Sequence, residues 1–289
     1  MTPPMADYTL NIRGRLLSLQ TPLVMGIVNV TPDSFYAPSR VQGAEAVVRR
    51  VGQVLAEGGS LVDVGACSTR PGSASVDERE EMSRLRTALS AIRGAFPDVV
   101  LSVDTFRASV AKMCVEEYGA DIINDISGGD LDPAMFATVA HLGVPYVLMH
   151  TRATPADMQR HTDYTHLLPE ILRHLAERVQ RLRSLGQKDI IIDPGFGFAK
   201  TLQQNYELLA QLPLLRLLEL PILIGVSRKS MVQQVLGVSA EDALCGTTVL
   251  HAICLRQGTA DILRVHDVKP AVEAVRIWQA VQPYVQDHD

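Results

Sequence analysis

No stretch of this 289-residue sequence approaches the ~18–20 consecutive apolar residues that a membrane-spanning helix needs. The first residues, 1–7, also lack the basic start and apolar centre of a signal peptide, so a soluble cytoplasmic protein is expected. A basic surplus is missing too. With 27 Lys and Arg against 32 Asp and Glu the formal charge is −5, which argues against a general nucleic-acid binder. Any anion site must then come from local placement of Arg or Lys. Cysteine is scarce: Cys67, Cys114, Cys245 and Cys254 show no metal-type spacing, and reduced thiols are the expected state. Also absent are a linker, a low-complexity tract, a repeat, and a glycine-rich turn after the first apolar run. An open doubly wound sheet usually carries such a turn, whereas Val30 here leads into Thr31-Pro32-Asp33-Ser34-Phe35.

What is present is alternation. Short runs rich in Val and Ile occur at 23–30, 60–65, 99–105, 121–126, 145–150, 189–195, 221–227 and 261–267. Near-continuous hydrophobicity of this kind marks strands buried on both faces of a parallel sheet. Between them lie stripes of helical period: Val47, Val51, Val54 and Leu55; Leu168, Ile171, Leu172, Leu175, Val179 and Leu182; and Val272, Val275, Ile277, Trp278 and Val281. Eight strands alternating with helices give the count of an α/β fold closed as a (β/α)8 TIM barrel. Ahead of it, 8–19 alternates polar and apolar residues around Arg13-Gly14-Arg15 and predicts a short N-terminal β-hairpin plugging the barrel floor. The expected organisation is one domain, 1–289, with 1–20 as the hairpin extension.

In such a barrel, chemistry sits where strands end and βα loops begin. Polar residues gather there at nearly every strand: Asn29; Asp63; Asp104 and Thr105; Asn124 and Asp125; His150; Asp193; Ser227, Arg228, Lys229 and Ser230; and Arg264, His266 and Asp267. A buried unpaired polar group costs ~1–3 kcal/mol, so repeating the burden at one end of the barrel implies use in binding. Helix capping accounts for individual Asp, Ser, Thr or Asn residues but not for Lys229, Arg264 and His266. Asp104, Asn124 and Asp193 can accept paired hydrogen bonds from a flat heterocycle, with Lys229 donating to its opposite edge. Arg70, Arg264 and His266, with Asn29 nearby, form a second patch suited to phosphate or diphosphate.

Seven ordered motifs sharpen this. Met25-Gly26-Ile27-Val28-Asn29-Val30-Thr31-Pro32-Asp33-Ser34-Phe35 and Ser68-Thr69-Arg70-Pro71-Gly72 are followed by Ser102-Val103-Asp104-Thr105 and Ile122-Ile123-Asn124-Asp125-Ile126-Ser127-Gly128. Asp193-Pro194-Gly195-Phe196-Gly197-Phe198, Gly225-Val226-Ser227-Arg228-Lys229-Ser230 and Arg264-Val265-His266-Asp267-Val268 complete the set. In sequence and order they resemble the dihydropteroate synthases, transferases of folate biosynthesis and a sulfonamide target. The resemblance implies condensation of 6-hydroxymethyl-7,8-dihydropterin diphosphate with 4-aminobenzoate by a dissociative substitution. It implies pterin binding by Asp104, Asn124, Asp193 and Lys229, and diphosphate binding by Asn29, Thr69, Arg264 and His266, with Mg2+ on Asn29. It assigns 4-aminobenzoate to Ser34, Phe35, Arg70, Pro71 and Ser230. Asp33 joins Lys229, Arg264 and His266 as catalytic, closing the site from the first loop. A homodimer through the C-terminal helices is the family's usual assembly.

Departures from the pattern fall in loops. The first loop continues as Tyr36-Ala37-Pro38-Ser39-Arg40 where many members carry two glycines, which implies a stiffer lid. Two other readings are open. A related pterin-binding methyltransferase would not need the Ser-Arg-Lys-Ser and Arg-Val-His-Asp motifs, and a barrel that only binds would keep the fold without turnover. Among the remaining residues, His141, His161, His166, His174 and His251 read as surface or packing. Cys67 has nothing nearby to activate it, and 78–86 reads as a solvated helical face of mixed charge.

Overall fold

In the computed structural model of the chain, the described residues are 7–30, 40–67, 76–152, 157 and 160–285, with the side chains of 40–42 left aside. The chain begins with the antiparallel pair β1 (Thr9–Ile12) and β2 (Arg15–Ser18). Arg13 and Gly14 between them both take positive φ, 50° and 79°, the twist that a two-residue hairpin turn requires. Arg13 also reaches across to Asp121, donating from Nε to Oδ1 at 2.6 Å and from Nη2 to Oδ2 at 2.9 Å.

Eight parallel strands follow: β3 (Leu23–Asn29), β4 (Leu61–Gly65), β5 (Val100–Asp104), β6 (Ile122–Asp125), β7 (Tyr146–Met149), β8 (Ile190–Asp193), β9 (Leu223–Ile224) and β10 (Ile262–Val265). They pair in the order β8-β7-β6-β5-β4-β3-β10-β9. The two ends meet through an isolated parallel bridge between Ile192 and Ile222, so the sheet is a nearly closed barrel. Each expected strand is found within its expected span. The run 221–227 supplies only the two residues of β9, while Pro221 contributes its carbonyl to the Ile192 amide at 2.9 Å.

Around the barrel lie α1 (Arg40–Ala56), α2 (Glu78–Ala95), α3 (Ala108–Tyr118), α4 (Met135–Leu142), α5 (Leu167–Ser184), α6 (Leu202–Gln211), α7 (Ser230–Leu236), α8 (Leu244–Arg256) and α9 (Val268–Val281). The stripe of α5 is buried as its period demands: Leu168, Ile171, Leu175, Val179 and Leu182 all lie in the core. The last stripe divides. Val275 is buried against the barrel, but Ile277 is 69% exposed and Val281 49%, so α9 carries more apolar surface than the barrel can cover.

Strand alternation sorts the interior. Met25, Leu61, Ile122, Val147, Ile191, Leu223 and Ile262 point inward and pack with Leu10, Ile12 and Leu19 of the hairpin region. The hairpin therefore plugs the barrel floor, and burying a leucine there is worth about 1.5–3 kcal/mol. Two residues further along the same strands, the inward positions turn polar: Asp63 after Leu61, Asn124 after Ile122, Asp193 after Ile191 and Arg264 after Ile262. The floor is apolar and the next layer is polar.

Candidate active site at the barrel mouth

The polar layer is organised by Asp63, which is fully buried. Its Oδ1 accepts from Ser102 Oγ at 2.6 Å, and its Oδ2 from Asn124 Nδ2 at 3.0 Å and Arg264 Nε at 2.6 Å. Arg264 then spans to the neighbouring acid, donating from Nη2 to Asp104 Oδ2 at 2.8 Å. Asp104, Asn124 and Arg264, expected on separate strands, are thus brought onto one network. Burial pushes the Asp104 pKa up, with the Arg264 guanidinium opposing. Burial disfavours the Arg264 charge, but Asp63 and Asp104 outweigh it and its pKa rises. The sequence had marked Asp63 only as a polar strand residue; its shared parity with floor residue Leu61 was the available signal.

On the other side of the mouth stand Asp193, at the end of β8, and Lys229, at the start of α7. Asp193 Oδ1 accepts from the Gly195 amide at 2.7 Å. Lys229 Nζ donates to the Phe196 carbonyl and lies 4.8 Å from the centre of the Phe198 ring. A Cβ placed on Gly225 would stand 3.8 Å from both Asp193 Oδ2 and Lys229 Nζ, so both groups flank the same point of the chain. Burial raises the Asp193 pKa, with Lys229 opposing, and burial lowers Lys229 to about 8, with Asp193 opposing. Carboxylates, an amide and an ammonium gathered at the ends of the barrel strands suit a flat heterocycle with adjacent donors on one edge and acceptors on the other.

Asn29 is exposed at the end of β3, and Ser230 is exposed at the first residue of α7. The His266 ring is held by Ser227, Nδ1 to Oγ at 3.1 Å, and its backbone amide donates to the same oxygen at 3.1 Å. Arg264, expected in the cationic patch, has two donor nitrogens committed to carboxylates of the ring layer. Asp33, Ser34, Phe35, Thr69, Arg70 and Pro71 lie outside the described residues. Among the described residues, no group of three or more His, Cys, Asp or Glu side chains could hold a metal ion.

One expectation is corrected. Within 78–86, read as a solvated face, Glu81 is fully buried and Arg84 is 8% exposed. Glu81 accepts from Thr105 Oγ1 at 2.7 Å and pairs with Arg107, whose Nη2 donates to the Val76 carbonyl at 2.8 Å. The reason is positional: α2 packs beside the ends of β4 and β5, where Arg84 donates to the Ala66 carbonyl at 3.1 Å and Glu81 accepts from the Thr105 hydroxyl. Burial, then Glu81, pushes the Cys67 thiol up to about 12, in keeping with an inert cysteine. Asp125 faces outward and is structural, accepting from Tyr146 Oη at 2.7 Å and from the Ser127 and Gly129 amides.

Residues 25–266 match the family described as pterin binding enzyme. The chain is 39% identical over 270 residues to the dihydropteroate synthase of Escherichia coli (strain K12), covering 93% of this chain and 94% of that one. Among solved structures, it resembles the Yersinia pestis dihydropteroate synthase in complex with a sulfonamide drug, at 40% identity and a TM-score of 0.88, over 96% of this chain and 100% of that one. The Xanthomonas albilineans dihydropteroate synthase with 4-aminobenzoic acid aligns at 38% identity and a TM-score of 0.86, over 96% and 99%. No helix among the described residues is long and apolar enough to cross a membrane.

Proposed function

Because the chain belongs to the pterin-binding enzymes, and among them to the dihydropteroate synthases, which are transferases, we propose that it condenses 6-hydroxymethyl-7,8-dihydropterin diphosphate with 4-aminobenzoate by a dissociative route. The observation that carries the proposal is the convergence of Asp104, Asn124, Asp193 and Lys229 on the inner face of the mouth. The carboxylates accept from the pyrimidine N–H and amino donors, and Lys229 donates to the opposite edge. As the diphosphate departs, positive charge grows on the pterin methylene, and the buried carboxylates stabilise it without reorganising. Arg264 and His266, with Thr69 and Asn29, receive the diphosphate, and the amine of 4-aminobenzoate then attacks the methylene carbon. Ser34, Phe35, Arg70, Pro71 and Ser230 form its pocket, and Asp33 closes the first loop and excludes water.

The amide oxygen of Asn29, exposed at the end of β3, fits a Mg2+ site of the kind completed by substrate oxygens and water, since that ion needs only one or two protein ligands. When bound, Mg2+ supplies charge neutralisation at the departing oxygens. The exposed apolar residues Ile277 and Val281 on α9, with Val249 at 53% on α8, support association through the C-terminal helices as a homodimer.

The purified protein, given both substrates, forms dihydropteroate and diphosphate in equal amounts; absence of product overturns the assignment. Deuterating the pterin methylene gives a normal secondary isotope effect on the chemical step if the route is dissociative, and a value near unity if it is not.

A further inference from the structure

Behind the ring-binding face lies a second lysine with no part in the chemistry above. Lys200 is 3% exposed, and its Nζ meets the carbonyl oxygens of Gly195 at 2.9 Å and Phe198 at 3.1 Å, and Nδ1 of His150 at 3.1 Å. An ammonium has three N–H donors, and here it finds three acceptors. The third must be an unprotonated nitrogen. Burial, reinforced by the adjacent Lys200, holds the His150 pKa well below its ordinary value, so the ring is neutral. Burial also pulls Lys200 down to about 7, with Asp193 opposing, and the full set of acceptors favours its charged form.

These contacts fix the turn 195–198, which the ring site is built on. Asp193 enters the turn and accepts from the Gly195 amide. Gly195 has a φ of +70°, and a Cβ there would fall 2.0 Å from the His150 carbonyl oxygen, so the turn sits directly on the end of β7. Lys200 holds the first and last carbonyls of the turn. Lys229 takes the carbonyl of Phe196 and lies over the Phe198 ring. Two lysines therefore bond to one four-residue turn, Lys200 fully within the core and Lys229 half-buried.

We infer that Lys200, seated on His150, is a positioning residue for pterin recognition: it locks the turn 195–198 so that Asp193 and Lys229 stand at the spacing the ring requires. The inference rests on the proposed synthase reading and deepens it. A lysine that merely fills the core would affect stability and both substrates alike.

Lys200→Met, similar in length but without donors, separates the two. In substrate-free hydrogen exchange, peptides covering 194–199 exchange faster than in the parent while the barrel floor is unchanged. In fluorescence titration, the Kd for the pterin diphosphate rises at least ~10-fold, as expected when hydrogen bonds from a charged group are lost. The KM for 4-aminobenzoate stays close to the parent value, and in Lys200→Ala added ethylamine restores pterin affinity. Unchanged Kd in a folded Met variant overturns the inference, as does an equal rise for both substrates without amine rescue. Should the Met variant not fold, Lys200→Ala is refolded and titrated in ethylamine, and a Kd independent of the amine overturns it. Exchange is read without substrate, so a protein lacking synthase activity would still report on the turn. A failed inference, by contrast, leaves parent turnover intact.

Discussion

Arg264 is seated on Asp63: its Nε donates to Oδ2 at 2.6 Å, and the carboxylate beneath is fully buried. A residue that never reaches the mouth thus fixes the guanidinium that does. Asp63→Asn removes the counter-charge while keeping the shape, and breaking a buried pair in this way costs roughly 3–5 kcal/mol. Urea unfolding checks this, and a loss below about 1 kcal/mol, the range of exposed pairs, would show that the pairing contributes little.

Asp193→Asn keeps a carbonyl for the Gly195 amide but turns the other oxygen into a donor facing the ring's own donors. Pterin affinity falls about 10-fold or more, in line with losing a charge-assisted hydrogen bond, while unfolding stability changes little. Equal affinity in calorimetry would remove Asp193 from the ring site.

Lys229 sets a basic limb. Burial lowers it to about 8, so raising the pH through that value neutralises the ammonium proposed to donate to the ring. The kcat/KM for the pterin diphosphate declines as pH passes about 8, and Lys229→Met loses that limb along with most of its activity. A limb that persists in the variant belongs to another group.

His251 sets an acid one, for stability. It is 2% exposed, and burial, against the opposing charge of Asp267, lowers it to about 4 from an ordinary value of 6.5. Below 6.5 the unfolded chain takes up a proton that the folded chain refuses, so stability is lost as pH falls from 6.5 toward 4. Above 6.5 the residue contributes no pH dependence. The loss reaches up to roughly 3 kcal/mol. In His251→Leu the urea midpoint changes less between pH 7 and pH 5, and an identical slope would contradict the assignment.

Leu10→Ala opens a cavity in the barrel floor, where Leu10 is 1% exposed. The expected cost is about 2–5 kcal/mol. Because the charged layer lies above the floor, pterin affinity of the folded variant stays at the parent value, and a large change in Kd would show the layers to be coupled.

Much of this was legible in the chain. Parallel strands announce themselves because both faces are buried, which is why 99–105 and 121–126 located β5 and β6 to within a residue at each end. The proposed ring groups were legible because Asp104, Asn124 and Asp193 stand in or at the end of apolar runs, where a polar side chain has no packing reason to be. Glu81 was not, because a helix of mixed charge looks solvated whichever side faces the barrel. Lys200 was hidden for a related reason: two of its three partners are backbone carbonyls, which leave no mark on the sequence. The stripe of α9 ran past what the barrel covers, since periodicity reports an apolar face without saying what lies against it.

The bridge between Ile192 and Ile222 has a mechanical consequence. Elsewhere the wall is stitched by ladders such as the five-residue register of β3 on β4, but β8 joins the segment leading into the two-residue β9 by one isolated bridge, Ile192 to Ile222. Asp193 ends one lip of this seam, and Gly225 and Lys229 continue the other. A ring held by both residues acts as a rivet across the weakest line of the wall. Occupancy should therefore slow exchange of the Ile192 amide beyond what whole-molecule stabilisation by ligand binding accounts for.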